Sequence, residues 1–379
     1  MKKILFIPHH PLCAGLKLRL AEMARFMPAD VDAYLLNWTA SADRSFSGRA
    51  GAALRDLFRI SRVRSIGPWK VLEIPIMHRP LFLAGAFNTR MLLPMIKKLN
   101  IDCVVNGSYY LFSFGLSRTF KYIVDIADLP ALPNSGAFES FIERAVKREV
   151  RCADAVTVSS SVLADHMKEY YGAKRVEFLP NGADLKRFRQ VKPEAKDEIL
   201  GRLGWQGRWV IGYIGNLGPW VDVQFMIEVF HEVKKRIPEA ALLFVGSGKA
   251  IDEYRRAYAN NDVVFLGSVP PENIEAYFCA CDCGVLPNKK SLFQDMAFHI
   301  KVIEFAAAQR PVISSDLEEV KRLGLSCVTV LSLEIEHWVE ALVRAHTMRW
   351  DVSLDKVLDK YDWREISNRL VQLIVNYGT

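Results

Sequence analysis

Short, continuous apolar runs alternate along the chain with stretches of helical periodicity. Such runs are typical of strands buried on both faces, and helical connections between them make parallel βαβ units. The predicted strands are 4–7, 31–36, 101–105, 122–125, 155–158, 176–179, 210–214, 241–245, 263–266, 283–286, 312–314 and 327–330. Turn residues at 180–182 and a Lys- and Pro-rich stretch after them separate two groups of strands. The pattern therefore predicts an α/β protein with two doubly wound parallel sheets and a domain boundary near residue 190.

Length and composition agree with two domains. The chain has 379 residues, 50% of them apolar, which is enough for two cores. Its first apolar run is too short for a signal peptide, and its longest uncharged run, 103–117, falls short of the roughly 20 apolar residues of a membrane span. Seven cysteines, an odd number, without a secretory segment indicate reduced thiols. These features predict a cytosolic protein.

Three of the cysteines, Cys279, Cys281 and Cys283, are close enough in sequence to suggest a metal site. Their C-x-C-x-C spacing lacks the C-x-x-C pairs and the distal His or Cys partners of zinc sites. The favoured interpretation is a set of small buried residues where a helix ends and a strand begins. We therefore predict no metal site.

Residues 298–316, FHIKVIEFAAAQRPVISSD, predict a helix that begins with a charged pair and leads into a buried strand. Lys301 and Glu304 share one face of this helix. Free N–H groups and the positive dipole at a helix N-terminus, with an adjacent ammonium, favour a pyrophosphate, and a carboxylate one turn later can accept hydrogen bonds from ribose hydroxyls. An isolated K-x-x-E is more often a solvated pair on an amphipathic helix, so the surrounding motifs decide between the two interpretations.

Those motifs carry a family resemblance. PNGADLKRF, YIGNLGPW, LLFVGSG, VVFLGSVPPENIEAYFCACDCGVLP and IKVIEFAAAQRPVISSD occur in the order seen in family 4 glycosyltransferases of the GT-B fold, which the last 230 or so residues resemble. The resemblance implies two Rossmann-like domains facing a cleft, with the nucleotide sugar on the C-terminal domain, 191–360, and the acceptor mainly on the N-terminal domain, 1–190. It also implies that a last helix, within 361–379, crosses back to the first domain.

The chain departs from the family pattern at two places. The family commonly has a carboxylate eight positions before the ribose-binding Glu, where this chain has Met296, and an Arg and a Lys after the first C-domain strand, where it has Asn216, Trp220 and Val221. GNLGPWVD and IKVIEF are more similar to bacterial polysaccharide glucuronosyltransferases, in which a Lys at the helix start takes the phosphate role. The resemblance thus implies that Lys301 is the principal phosphate cation.

The predicted donor-binding residues cluster after strands and at the start of the K-x-x-E helix. Glycines after strands allow close backbone approach to a ligand, although a strand-to-helix turn or a positive φ explains them equally well. The carboxyl ends of parallel strands are where ligands collect in this architecture. The predicted set is Gly215, Asn216, Trp220, Gly246, Gly267, His299, Ile300, Lys301 and Glu304.

Catalysis is predicted to depend on a carboxylate of the N-terminal domain. An inverting transfer needs a base for the acceptor hydroxyl, and Asp125 and Asp128, in YIVDIADLP, stand at the end of a predicted strand. Asp125 is the first candidate, although it could instead satisfy loop amides, and Asp128 could cap a turn. His9 and His10, after the first strand, are the competing candidates.

Charge is distributed unequally between the two halves. Through residue 185 there are 25 Lys and Arg against 17 Asp and Glu, a net charge of +8, and the remainder has 25 against 26, a net charge of −1. The excess is concentrated in residues 44–70, where basic and apolar residues alternate. This segment predicts contact with an anionic membrane surface or, equally, a solvated helical face. Nucleic acid is disfavoured because no reading motif accompanies the charge.

Together these features predict an enzyme that moves a sugar from a nucleotide sugar, expected to be UDP-linked, to a glycan or lipid-linked acceptor in cell-surface polysaccharide or glycolipid assembly. No metal or other cofactor is expected, and the predicted location is the cytoplasm, including the inner membrane surface. A non-catalytic binding subunit and a nucleotide-sugar epimerase of similar fold remain alternatives. An oxidoreductase is disfavoured, because PHHPLCAG rather than G-x-G-x-x-G follows the first strand.

Overall fold

The computed structural model describes residues 2–10, 19–37, 62–74, 76–77, 81–115, 118–130 and 136–376. Their strands are β1 Lys2–Ile7, β2 Val31–Asn37, β3 Arg62–Ile66, β4 Trp69–Glu73, β5 Cys103–Asn106, β6 Lys121–Ile126, β7 Ala155–Val158, β8 Val176–Phe178, β9 Trp209–Ile214, β10 Ala240–Val245, β11 Val263–Gly267, β12 Cys283–Leu286, β13 Val312–Ser315 and β14 Val328–Leu331. Every strand predicted from the apolar runs is present within one or two residues of its expected bounds.

Helices connect most of these strands. In the first half they are α1 Arg19–Arg25, α2 Leu81–Leu99, α3 Ala137–Cys152, α4 Ser161–Glu169, α5 Leu185–Arg189 and α6 Pro193–Leu203. In the second half they are α7 Val223–Arg236, α8 Ile251–Tyr258, α9 Ile274–Ala280, α10 Leu292–Met296, α11 Ile300–Ala307, α12 Glu318–Leu323, α13 Ile335–Thr347, α14 Leu354–Leu358 and α15 Trp363–Asn376, with 3-10 turns at Pro271–Asn273 and Asp359–Tyr361. No described helix is long and apolar enough to cross a membrane.

The chain divides into two compact units, each built on one sheet. Unit 1 has the strand order β3-β4-β2-β1-β5-β6-β7-β8, and unit 2 has the order β11-β10-β9-β12-β13-β14. Among the described strands all pairings are parallel except that of β3 with β4. In both sheets the order reverses beside the first strand of the unit, which is the mark of a doubly wound fold.

The division between the units falls between Asn181 and Gly182, and Trp363–Thr379 groups with unit 1. The boundary predicted near residue 190 is therefore later than the observed one. The reason is α5, whose Phe188 is buried and stacks edge to face on Phe278 of unit 2 at 5.8 Å. Helix α15 joins unit 1 because its Trp363, Ile366 and Leu370 pack into the core around Ile4.

The basic segment 44–70 is only partly described. Residues 44–61, with Arg44, Arg49, Arg55 and Arg59, lie outside the described residues. The remainder is a β-hairpin, with Gly67 at φ +56° in the turn, so the interpretation as a helical face is wrong for 62–70. Acids outside the segment pair with it: the Nη2 of Arg64 lies 2.5 Å from Glu73, and the Nζ of Lys70 lies 2.6 Å from Asp32.

The cysteines of the FCACDCG segment lie where a helix ends and a strand begins, as predicted. Cys281 and Cys283 are fully buried between α9 and β12, and all six described cysteines carry free thiols. The packing here is tight, because a Cβ on Gly212 of β9 would lie 2.2 Å from the Cys281 sulfur. Cys281 thus fills the sheet core as a small apolar side chain.

Candidate functional site

Three of the predicted donor-binding glycines lie side by side at the carboxyl edge of the unit 2 sheet. Gly215 follows β9, Gly246 follows β10 and Gly267 ends β11, with φ values of +145°, +137° and +87°. The Gly246 amide donates a hydrogen bond of 2.8 Å to the Gly267 carbonyl, and the Gly215 amide donates one of 2.8 Å to Val245. Neighbouring strands therefore bring these three positions together at the edge where ligands bind in such sheets.

The first two of these loops are in backbone contact. A Cβ on Gly246 would lie 1.9 Å from the Gly215 carbonyl oxygen, and a Cβ on Gly248 would lie 2.2 Å from the Leu217 oxygen. No side chain fits at either position without movement of the backbone. Close packing thus explains the glycines in addition to the turn conformation, and it fixes the shape of this edge.

Lys301 reaches the same place from helix α11. Its Nζ donates a hydrogen bond of 2.9 Å to the Tyr213 hydroxyl and lies 4.3 Å from the centre of the Tyr213 ring. A Cβ on Gly215 would lie 2.7 Å from this Nζ, so the absence of a side chain at Gly215 makes room for the ammonium. An ammonium has three N–H donors, and the other two can serve a phosphate oxygen.

Tyr213 is a residue of the site that the sequence analysis missed. It is fully buried in β9, and its hydroxyl donates a hydrogen bond of 2.8 Å to the carbonyl of Asn216, an exposed residue of the loop. This bond orients the hydroxyl oxygen toward Lys301 as an acceptor. The sequence feature that could have indicated this role is the single hydroxyl side chain in the otherwise apolar run WVIGYI.

His299 precedes α11 and is buried, with 7% of its surface exposed. Its Nε2 donates a hydrogen bond of 2.8 Å to the Gln294 carbonyl, which leaves Nδ1 as an acceptor. The pKa of His299 is lowered to about 4, chiefly by burial; the bond to Gln294 opposes this shift, and the charge of Lys301 adds to it. The imidazole is therefore neutral at neutral pH. Ile300 and Glu304, on the same helix, are half-buried.

Met296, which stands where the family commonly has a carboxylate, brings no charge to this part of the structure. Met296 ends α10 and is 7% exposed, so no charge faces the site from there. Beside it, the Asn288 amide nitrogen donates a hydrogen bond of 2.6 Å to the Gln294 side chain, and both residues are buried. Trp220 is half-buried, and its carbonyl accepts a hydrogen bond of 2.7 Å from the Lys289 amide.

In unit 1, Asp125 lies at the end of β6 and is engaged in a buried ion pair. It is 3% exposed, both carboxylate oxygens lie 3.1 Å from Arg19 Nε, and Thr157 Oγ1 donates a hydrogen bond of 2.7 Å to it. Arg19 also donates to the carbonyls of Leu179 and Pro180. These contacts are those of a structural clamp between the ends of neighbouring strands, and they leave little access for an acceptor hydroxyl.

Asp128, two residues beyond β6, is exposed to solvent. Desolvation by the surrounding protein nevertheless raises its pKa to about 6, with the charge of Asp125 raising it and that of Arg19 lowering it. The competing candidates His9 and His10 are also exposed, at the end of β1. Of the two acids, Asp128 has the access and the proton affinity that a general base needs.

Comparison with known proteins identifies the second unit. Residues 208–347 match the family described as Glycosyl transferases group 1. The chain carries a group 1 glycosyltransferase domain. This domain contains β9 to β14, the glycine-lined edge and Lys301.

Curated relatives match a longer part of the chain than the family does. TuaH of Bacillus subtilis is 27% identical over 216 residues, which are 54% of this chain and 52% of TuaH. TuaH is named, provisionally, as a teichuronic acid biosynthesis glycosyltransferase. D-inositol 3-phosphate glycosyltransferase of Nocardia farcinica is 27% identical over 236 residues, 56% of this chain and 51% of that protein. The chain thus spans about half the length of these relatives.

A solved structure shows the fold over the whole chain. A glycosyltransferase from Rickettsia africae superposes with a TM-score of 0.70 at 13% identity, covering 99% of this chain and 98% of that one. HepE of Anabaena, solved in complex with UDP, has a TM-score of 0.63 at 14% identity and covers 100% of this chain and 97% of its own. The fold is GT-B, as the sequence motifs predict.

Proposed function

We propose that the protein transfers a sugar from a nucleotide donor to a glycan or lipid-linked acceptor. The position of the Lys301 ammonium beside Gly215, at the carboxyl edge of the group 1 domain, carries this proposal. Gly215, Gly246 and Gly267 would let the donor approach the backbone, and Lys301 would neutralise the pyrophosphate. Because Lys301 supplies this positive charge, transfer is expected without a divalent metal, and activity should persist in a chelator.

The remaining predicted residues have supporting roles in the proposal. Glu304, one turn after Lys301, would accept hydrogen bonds from the ribose hydroxyls. His299, neutral and held by Gln294, would fix the start of α11, where Ile300 begins the helix. Asn216 and Trp220 would border the donor. UDP is the proposed nucleotide, in line with the UDP named for HepE, although other relatives are named as GDP-mannose-dependent.

Assembly of a cell-surface polysaccharide or glycolipid is the proposed process. Relatives named for teichuronic acid biosynthesis and for phosphatidylinositol mannoside synthesis support this class of product. The loss of a charge at Met296 also favours a second candidate, a GT-B chain that binds a nucleotide without transferring sugar. Slow hydrolysis of the donor by the purified protein would contradict that candidate, since water then replaces the acceptor.

Lys301→Ala and Glu304→Ala are expected to weaken nucleotide binding. Each removes a charge-assisted contact, so the loss should be about 1.5 to 3 kcal/mol, roughly ten- to a hundredfold in affinity. Isothermal titration calorimetry with UDP and with GDP measures it. Lys290→Ala is the matched control, because Lys290 is exposed and pairs with Asp316 at 3.4 Å. Unchanged affinity in both folded variants would overturn the donor site.

We also propose that the basic segment 44–70 contacts an anionic membrane surface on the cytoplasmic side. Arg55, Arg59 and Arg62 would each contribute about 1 kcal/mol near such a surface, and added salt would screen the attraction. Co-sedimentation with vesicles should then require anionic lipid and decline as salt rises. Binding that is absent, or indifferent to lipid charge and salt, would contradict the proposal.

A further inference from the structure

Four aromatic side chains gather at the carboxyl edge of the unit 1 sheet. His9 and His10 follow β1, and Tyr109 and Tyr110 lie just beyond β5, its neighbour in the sheet. The His9 ring centre lies 4.9 Å from that of His10, 6.0 Å from that of Tyr109 and 5.9 Å from that of Tyr110. His9 and His10 are exposed, Tyr110 is half-buried and Tyr109 is buried beneath them.

Backbone contacts hold the two loops that carry these rings. His9 Nδ1 donates a hydrogen bond of 2.8 Å to the Gly107 carbonyl, and the Ser108 hydroxyl donates one of 2.7 Å to the Pro8 carbonyl. At Gly107 a Cβ would lie 3.3 Å from the Ile7 carbonyl oxygen. The rings therefore belong to one fixed surface rather than to two independent loops.

The charges around this surface suit a neutral ligand with hydroxyl groups. The pKa of His10 is lowered mainly by burial and, to a smaller extent, by the charge of His9, so its ring is uncharged at neutral pH. Asp125 lies at the end of β6 and Asp128 just beyond it, and β6 is the neighbour of β5 in the sheet, so both acids lie at the same edge as the rings. Burial, chiefly, raises the pKa of Tyr109, and the charges of these two acids are among the further causes. Of the two, Asp128 is the exposed one, and a carboxylate accepts hydrogen bonds from hydroxyl groups.

We propose that His9, His10 and Tyr110 form a platform for a sugar ring of the acceptor. The His9 ring stands at 90° to that of His10 and at 74° to that of Tyr110, so one aromatic ring lies against the apolar face of the sugar. This inference rests on the proposed function, because it specifies what the N-terminal unit binds. A pyranose presents an apolar C–H face to aromatic rings and hydroxyl groups around its rim. Aromatic side chains with polar groups offer apolar area and hydrogen bonds together, and Asp128 is available for a hydroxyl. The acceptor sugar is therefore recognised by its ring face rather than by a charge.

Saturation-transfer difference NMR with simple sugars tests the platform without a known acceptor. The probes are the methyl glycosides of glucose, galactose and mannose, each at about 10 mM, a concentration suited to millimolar affinity. At least one should receive saturation from the wild-type protein. His10→Ala and Tyr110→Ala should each weaken glycoside binding about tenfold. Tyr110→Phe keeps the ring and should bind the glycoside nearly as the wild type does.

Two controls separate this inference from the donor site. Lys301→Ala should retain glycoside binding, and uridine should not displace the glycoside. If calorimetry detects no nucleotide binding while a glycoside still binds, the proposed function is overturned and the platform is not. The platform is overturned if no glycoside receives saturation, if binding is unchanged in both folded alanine variants, or if uridine competes, which would indicate a nucleoside site.

Discussion

Asp128→Asn is expected to lower turnover by about 10² to 10⁴ while nucleotide affinity stays nearly constant. The amide keeps the shape of the side chain but cannot accept the proton of the acceptor hydroxyl. Asp128 is preferred to Asp125 because it is exposed, whereas both oxygens of Asp125 are occupied by Arg19. Single-turnover measurements beside nucleotide calorimetry separate the chemical step from donor binding.

The pH dependence provides a second check on Asp128. Its pKa is raised to about 6, so the proton-accepting form is present above that value and is lost as pH falls through it. Below about pH 6, kcat/KM should therefore fall roughly tenfold for each pH unit. The residual activity of Asp128→Asn should lack this dependence. A wild-type rate that is level from pH 7 to pH 5 would contradict the assignment.

Asp125→Asn is the matched variant for this comparison. It breaks a buried ion pair, so we expect a loss of about 3 kcal/mol in the free energy of unfolding, with turnover per folded molecule largely retained. If Asp128→Asn keeps wild-type turnover, and turnover at saturating acceptor falls in folded Asp125→Asn or in His10→Ala, the base is the residue whose variant loses it. A product with retained anomeric configuration would remove the need for such a base.

Gly246→Ala is expected to have the second-largest effect, through the backbone. The new Cβ would lie 1.9 Å from the Gly215 carbonyl oxygen, at a φ of +137° that side chains rarely adopt. Because the obstructing atom is backbone, the loop that holds Gly215 next to Lys301 must move. We expect a loss of about 2 to 4 kcal/mol in the free energy of unfolding and at least about a tenfold loss in nucleotide affinity.

Gly204→Ala controls for the conformational part of that effect. Gly204 ends helix α6 at φ +68° with no atom within 4 Å of its Cβ position. Its substitution should cost about 1 kcal/mol and leave nucleotide affinity unchanged. Chemical denaturation and calorimetry on both variants give the comparison. Equal losses in the two would mean that the contact between the Gly215 and Gly246 loops does not matter.

Local patterns in the sequence determined which segments became strands and helices. The apolar runs are continuous because strands buried on both faces need no polar side, and this property is readable without knowing the partners. The pair Lys301 and Glu304 was also readable, because three-residue spacing on a helix sets a shared face by itself. The hairpin of β3 and β4 was missed, since its basic residues are stabilised by acids that are distant in sequence, such as Asp32.

The strand order decided what local patterns could not. Asp125 and Asp128 look alike in the sequence, and only the neighbouring Arg19 and Thr157, brought in by α1 and β7, make one a buried ion pair and leave the other exposed. Tyr213 meets Lys301 for the same reason: its strand lies beside the start of α11 across a separation of 88 residues. Sequence periodicity reports which face of an element is buried, whereas the partner on that face depends on how distant elements pack.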